Sequence, residues 1–199
     1  MPDTSTLPSS AAEVCAPDSS AGAGTFPRPT RRQRCAAALA GKAPARAPMS
    51  AVAAMTACGV AVLLLLVGLG VLLHEPLLIP PLAASAGLVL AAPALPLAQP
   101  RSIVGGQLIS AAIGLGAVAV GGSSLWTAAV AGGLTIGAMA WARTPHSPAA
   151  ATAVIVVLTD PAPLHFLGLL TLATLVIVAS GTLLARVSRT GPRYPSYWW

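Results

Sequence analysis

Few residues in this chain have side chains that could do chemistry, and those few sit inside or beside long apolar runs. His146 stands three residues after Arg143 and two before Pro148. Protonated, it could ligate an anion; as a titrating group it could exchange a proton. An interfacial histidine in contact with solvent is the plainer reading of the same residue. Ser85 and Thr152 each follow a proline by four residues, Pro81 and Pro148. A helix that starts on such a proline loses nothing, because a first-turn N–H has no partner inside the helix. The other N–H groups of that turn carry the positive end of the helix dipole, and at membrane depth they predict an anion site. The hydroxyls one turn on would add donors, or would bond back to their own helix carbonyls. Gln107 lies within an apolar run, where an unpaired amide is costly, so it must find a partner or line a cavity. Arg101 and Arg143 could attract anions, although topology alone also accounts for both.

Several chemistries are absent from the sequence. Between residues 51 and 184 the only formal charges are Glu75, Arg101, Arg143 and Asp160. No carboxylate lies in the middle of an apolar run, which argues against a cation site or proton relay built on Asp or Glu. No phosphate-binding Walker sequence occurs, and Ser180-Gly181 lacks the glycine two residues before the serine of an intramembrane nucleophile. Cys15, Cys35 and Cys58 are an odd set without ligand spacing. The expectation is a protein that is not an enzyme and holds no metal and no cofactor.

The elements that would position these residues follow from composition. Charged residues make up 8% of the 199 and hydrophobic ones 55%, against about 25% charged in a soluble domain. Four charges cannot solvate the surface of a globule of this size, so the surface faces lipid. The net charge of +6 lies beside the ends of apolar segments, which suits a bilayer and not nucleic acid. The fold class predicted is all-α, a polytopic helical membrane protein. Residues 1–48 read as a disordered basic tail. The membrane domain spans 49–187, with segments at 51–73, 77–92, 103–122, 125–142, 148–159 and 164–185. A cytoplasmic tail at 188–199 follows, and the three Arg and four aromatics between 186 and 199 suit a membrane interface. Trp126 and Trp141 would lie about 22 Å apart along a helix, as interfacial anchors do. His74 and His165 fall at predicted outer ends.

The basic residues set the orientation. Arg28, Arg31, Arg32, Arg34, Lys42 and Arg46 precede the first segment, which places the N-terminus in the cytoplasm. If all six segments cross, every Lys and Arg lies inside and Glu75 and Asp160 lie outside. The expectation is a multi-pass protein of a bacterial cell membrane with both termini cytoplasmic. With 77–92 and 148–159 re-entrant, four crossings would also keep both termini inside.

A repeat runs through the body at an offset of 67 residues. The stretch from Pro81 to Leu90 and that from Pro148 to Val157 share P-x-A-A-[ST]-A-x-[LI]-V-[LV], and a Pro-Ala step follows each. Each copy would hold three segments, so the second enters the membrane upside down, as in many secondary transporters. In such folds, paired short or proline-interrupted segments point to the binding site, and 77–92 with 148–159 fit that description.

Leu82-Ala-Ala-Ser-Ala-Gly-Leu-Val-Leu, Pro96-Leu-Ala-Gln-Pro-Arg101 and Val104-Gly-Gly-Gln-Leu-Ile-Ser110 are similar to the first characteristic block of the HPP family. Arg143-Thr-Pro-His-Ser-Pro-Ala-Ala-Ala-Thr-Ala153 is similar to the block that names it. The resemblance covers roughly 51–186 and implies an integral membrane protein, usually described as four-spanning and presumed to be a transporter. Plant members are associated with nitrite transport into plastids. Two positions depart: Ser147 occupies the middle of the His-Pro-Pro motif, and Gln107 stands where many relatives carry His. Together these features predict a transporter or channel for a small anion, with nitrite or a nitrate-like ion favoured. Substrate contacts would come from His146, Pro148, Thr152, Ser85, Pro81, Gln107, Arg101 and Arg143. The alternative is a non-transporting membrane scaffold or assembly protein. The partners expected are the lipid bilayer and the ion, and a thin six-helix wall leaves room for a homo-oligomer.

Overall fold

A computed structural model of the chain describes Thr30, Arg32, residues 46–187 and residues 193–198. The predicted tail at 1–48 lies outside the described residues except for Thr30, Arg32 and its last three positions. Residues 188–192 and 199 of the C-terminal tail lie outside them too. The described residues from Ala47 onward form one compact unit.

The described residues are all-helical. The helices are α1 (Met49–Leu73), α2 (Pro80–Ala91), α3 (Pro100–Gly121), α4 (Leu125–Trp141), α5 (Ser147–Thr159) and α6 (Pro163–Val187), with a 3₁₀ turn at Pro96–Ala98. At 1.5 Å per residue, α1 and α6 are about 37 Å long and α3 about 33 Å, enough for a hydrocarbon core of roughly 30 Å. These three are long and apolar enough to cross a membrane. The others are shorter: about 18 Å for α2, 26 Å for α4 and 20 Å for α5.

Local sequence explains the ends. Pro80 and Pro81 start α2, and the residue before them, Ile79, is extended (φ −104°, ψ 150°) because proline disfavours helix at the preceding position. The helix therefore begins at Pro80, where the sequence predicts segment two from 77. Pro100 likewise starts α3 and brings Arg101 inside the helix, ahead of the predicted start at 103. Ser124 caps α4, its hydroxyl accepting from Thr127 N–H at 3.1 Å. His74 and Asp160 close α1 and α5 in the left-handed region (φ 57° and 43°), and a proline follows each within two residues.

α3 is the hub, packing on α4, α5 and α6. α2 packs on α1, α5 and α6, while α5 also lies on α4, and α1 on α6. Exchanging α1 with α4, α2 with α5 and α3 with α6 returns the same set of principal neighbours. The buried positions obey the same exchange. Leu82, Ser85, Ala86, Val89 and Leu90 are buried on α2, and so are Ala149, Thr152, Ala153, Val156 and Val157 on α5. Ile103, Gly106, Gln107, Ser110, Ala111 and Gly114 of α3 face inward, as do Leu170, Ala173, Thr174, Ile177, Val178 and Gly181 of α6. Every pair is 67 residues apart. Any buried helix face recurs at three and four residues, so one pair of helices in phase would mean little. A single offset that brings both pairs into phase is the informative part.

Large apolar side chains cover the outside, among them Leu64, Val71, Val120, Trp126, Trp141 and Leu183. A water-facing surface would not carry so many; lipid would.

Candidate functional site

The polar interior is built where α2, α3 and α5 meet. Ser85, Gln107, His146 and Thr152 are each fully enclosed. His146 caps the start of α5 in extended conformation, on the connection from α4. Its Nδ1 lies 2.8 Å from the Leu97 carbonyl oxygen, in the 3₁₀ turn. A carbonyl only accepts, so Nδ1 carries a hydrogen. Its Nε2 lies 2.7 Å from Ser85 Oγ. Gln107 Nε2 donates to the same oxygen at 3.1 Å, and Gln107 Oε1 accepts from Thr152 Oγ1 at 2.5 Å. One unbroken chain of hydrogen bonds thus runs from Leu97 through His146, Ser85 and Gln107 to Thr152. It joins the two hydroxyls that sit 67 residues apart.

Close helix packing makes this possible. A Cβ on Gly106 would stand 2.8 Å from His146 Cβ, so only glycine admits the ring there. One turn on, Ser110 Oγ donates to the Ala149 carbonyl and accepts from Ala153 N–H at 2.9 Å. The hydroxyl bonds two α5 groups that are four residues apart. A further turn on, a Cβ at Gly114 would lie 2.9 Å from the Ala153 carbonyl oxygen. Gly106, Ser110 and Gly114 therefore form a small-residue stripe along which α5 lies.

The remaining predicted site residues fall elsewhere. Pro81 contributes its carbonyl oxygen, 2.8 Å from Ser85 Oγ. Pro148, half-buried, is the second residue of α5 and sits outside the chain of bonds. Arg101 donates from a terminal guanidinium nitrogen to the Ala142 carbonyl at 3.0 Å, tying the start of α3 to the end of α4. Arg143 is exposed on the α4–α5 connection, with φ 56°. The start of α2 differs from the sequence expectation. Pro80 and Pro81 have no N–H, and Leu82 and Ala83 both donate to the Ile79 carbonyl, at 3.0 and 3.2 Å. Ala149 N–H is engaged by the His146 carbonyl at 2.9 Å. The first turn of α2 thus has no donor left for an anion, and hydroxyl, amide and imidazole groups are what the site offers.

Two contributors are absent from the sequence expectation. Ser110 is a lone serine in an apolar helix, indistinguishable by type from one that bonds to its own backbone. Gln99 is fully enclosed. It donates to the Pro93 and Leu95 carbonyls at 2.9 and 3.1 Å and accepts from Ser196 N–H at 2.9 Å. The loop that presents the Leu97 carbonyl to His146 is thereby tied to the C-terminal tail. In that tail Tyr194 is buried against Gly181, where an interfacial aromatic was expected. Burial raises its phenol above the ordinary value. At the opposite end His165 Nε2 lies 2.9 Å from a Glu75 carboxylate oxygen, both side chains exposed. No group of three or more metal-ligating side chains occurs among the described residues.

An apolar helical exterior around one enclosed polar chain defines a polytopic membrane protein of transporter-like build. The chain belongs to the HPP family: the family described as "HPP, transmembrane region" matches residues 43–195. No curated protein and no solved structure matches it.

Proposed function

We propose that this protein carries small monovalent anions across its membrane, with His146, Ser85, Gln107 and Thr152 on the route. The observation that supports this reading is the enclosed polar chain. Buried polar groups inside a bundle that faces lipid are costly and mark substrate or ion pathways. The chain holds hydroxyls, an amide and an imidazole without a carboxylate, a donor set that suits an anion better than a metal cation. Nitrite and nitrate are the first ions to try, on the strength of the family resemblance.

The same reading takes α1–α3 and α4–α6 as duplicated units, the second inverted because each has three segments. The shared offset of buried positions and the exchange of packing partners support it. Six crossings would then place Arg101, Arg143 and both termini in the cytoplasm. Cysteines introduced at Arg143 and Asp160, in a variant lacking Cys15, Cys35 and Cys58, test this, since both positions are exposed and flank α5. Labelling from opposite faces is expected; labelling from one face would make α5 re-entrant.

One observation favours a second reading. Each of the four side chains already has partners within the protein, as a clasp in a non-transporting scaffold would. Flux measurements in proteoliposomes separate the two. Nitrate or nitrite uptake above empty vesicles, reduced at least tenfold by Gln107→Leu, is expected of the transporter. A scaffold would give no uptake.

A further inference from the structure

We infer that the His146–Ser85 pair moves one proton with each anion, which makes the transport an electroneutral symport. The inference rests on the anion-transport reading above and adds the coupling ion to it.

The argument is a count of hydrogens. His146 Nδ1 faces a carbonyl and keeps its hydrogen in every charge state, so Nε2 is the atom that gains or loses a proton. Ser85 Oγ has one hydrogen and two acceptors within reach: His146 Nε2 at 2.7 Å and the Pro81 carbonyl at 2.8 Å. With the ring neutral, the hydroxyl donates to Nε2. With the ring protonated, Nε2–H donates to Ser85 Oγ, and the hydroxyl hydrogen turns to the Pro81 carbonyl. Gln107 donates to Ser85 Oγ in both states. Both proton states are therefore fully hydrogen-bonded, and passing from one to the other takes one proton at Nε2 and rotation about one C–O bond of Ser85. A histidine with carbonyls at both nitrogens would lack this property.

The charged state still needs a counter-charge. α2 presents Ser85 to the ring and the 3₁₀ turn presents the Leu97 carbonyl. α3 presents Gly106 next to the ring, with Gln107 reached through Ser85. None carries negative charge. Of the acids among the described residues, Glu75 pairs with His165, and Asp160 closes the far end of α5 from His146. The nearby charges are cationic, Arg101 on the Ala142 carbonyl and Arg143 exposed on the connection. An enclosed imidazolium without a counter-ion is strongly disfavoured. The partner it needs is the transported anion, so proton and anion occupy the site together or not at all. The proton is taken from water on one side and returned to water on the other. For a monovalent ion no net charge crosses.

Proteoliposomes of the full chain, loaded with a pH-sensitive dye and given an inward nitrate gradient, test this. Nitrate is chosen because it stays ionised near neutral pH, whereas nitrous acid crosses lipid unaided. Acidification of the lumen in proportion to nitrate uptake is expected, unchanged when a potassium ionophore clamps the potential. His146→Gln can bond the Leu97 carbonyl and Ser85 but cannot become a cation, and should lose the acidification. Ser85→Ala should lower nitrate uptake and lumen acidification together at least fivefold, in protein whose melting profile in detergent is retained. Uptake driven by potential without acidification, or acidification persisting in His146→Gln, would overturn the coupling and leave anion transport standing. No nitrate uptake by the unaltered protein would overturn both.

Discussion

The crossing of α3 on α5 and the crossing of α6 on α2 occupy corresponding places in the two halves, yet they are built differently. Along α3 the inward residues at successive turns are Gly106, Ser110 and Gly114, and their counterparts on α6 are Ala173, Ile177 and Gly181. Only the last position is the same. Gly114 packs against Val156 and Gly181 against Val89, a pair of contacts that the 67-residue offset interconverts. Elsewhere the small, polar side of the comparison belongs to α3. Gln107 reaches two hydroxyls on other helices, whereas its counterpart Thr174 bonds the Thr171 carbonyl of its own helix at 2.8 Å. The position matching His146 on the other half is Ile79. One crossing carries polar chemistry and the other carries apolar core, and Tyr194 from the tail fills the space beside Gly181.

The largest effect should come from filling the shared glycines. A Cβ at Gly114 meets a backbone carbonyl and the Val156 Cβ, and neither can yield without moving α5. Gly114→Ala should cost about 2–3 kcal/mol, the upper part of the range for overpacking. At Gly181 the obstacles are a Val89 methyl and the Tyr194 ring, which can rotate or withdraw. Gly181→Ala should cost about half as much. Unfolding in mixed micelles measures both, and equal costs would break the comparison.

Next in size is Gln107→Leu, which leaves the hydroxyls of Ser85 and Thr152 short of a partner. A loss of about 1–2 kcal/mol is expected, because helix–helix hydrogen bonds in membranes are modest. Thr174→Val, at the matching position, should fall within about 0.5 kcal/mol, since its bond is local. A reversal of that order would mean that the apolar crossing depends on polar contacts after all. Tyr194→Phe has the opposite sign. The phenol oxygen is buried and has no partner among the described residues, so its removal should stabilise by up to about 1 kcal/mol.

Much of the fold was legible because lipid imposes a simple pattern. The six apolar runs and the 67-residue repeat are visible in the sequence, and Pro80, Pro100 and Pro148 mark where three helices begin. Proline geometry shifts the starts of α2 and α3 by three residues each, a local effect that hydropathy averages away. Of the site, Ser85 and Thr152 stand out by matching positions, Gln107 by its polarity and His146 by its neighbours. That Gln107 links the two hydroxyls depends on how three helices cross, which no spacing within one helix encodes. The expectation that the start of α2 offers free donors to an anion failed for a countable reason: two prolines and one carbonyl account for all of them. Ser110 and Gln99 were invisible because a lone polar residue has a default partner nearby, and only packing reveals that it has chosen a distant one.

Ser110→Ala should have the smallest effect on stability and separates the two crossings most sharply. Its hydroxyl bonds both the Ala149 carbonyl and Ala153 N–H, groups four residues apart on the continuous helix α5. The variant loses two contacts between helices while both groups stay in the helix ladder of α5, so the net change should stay within about 0.5 kcal/mol. The matching position on α6, Ile177, carries no hydroxyl, so nothing there can bond α2 in this way. Ser110 ties α5 to α3, and α5 begins at the residue after His146. Losing that tie should therefore loosen the approach of His146 to Ser85 and, on the transport reading, lower flux without unfolding the protein. Faster hydrogen exchange at the Ala153 amide, normal melting and lower flux together would make Ser110 a joint that aims His146. A loss above about 2 kcal/mol with parallel loss of flux would make it a weld instead, and the polar crossing would then be as structural as its apolar counterpart.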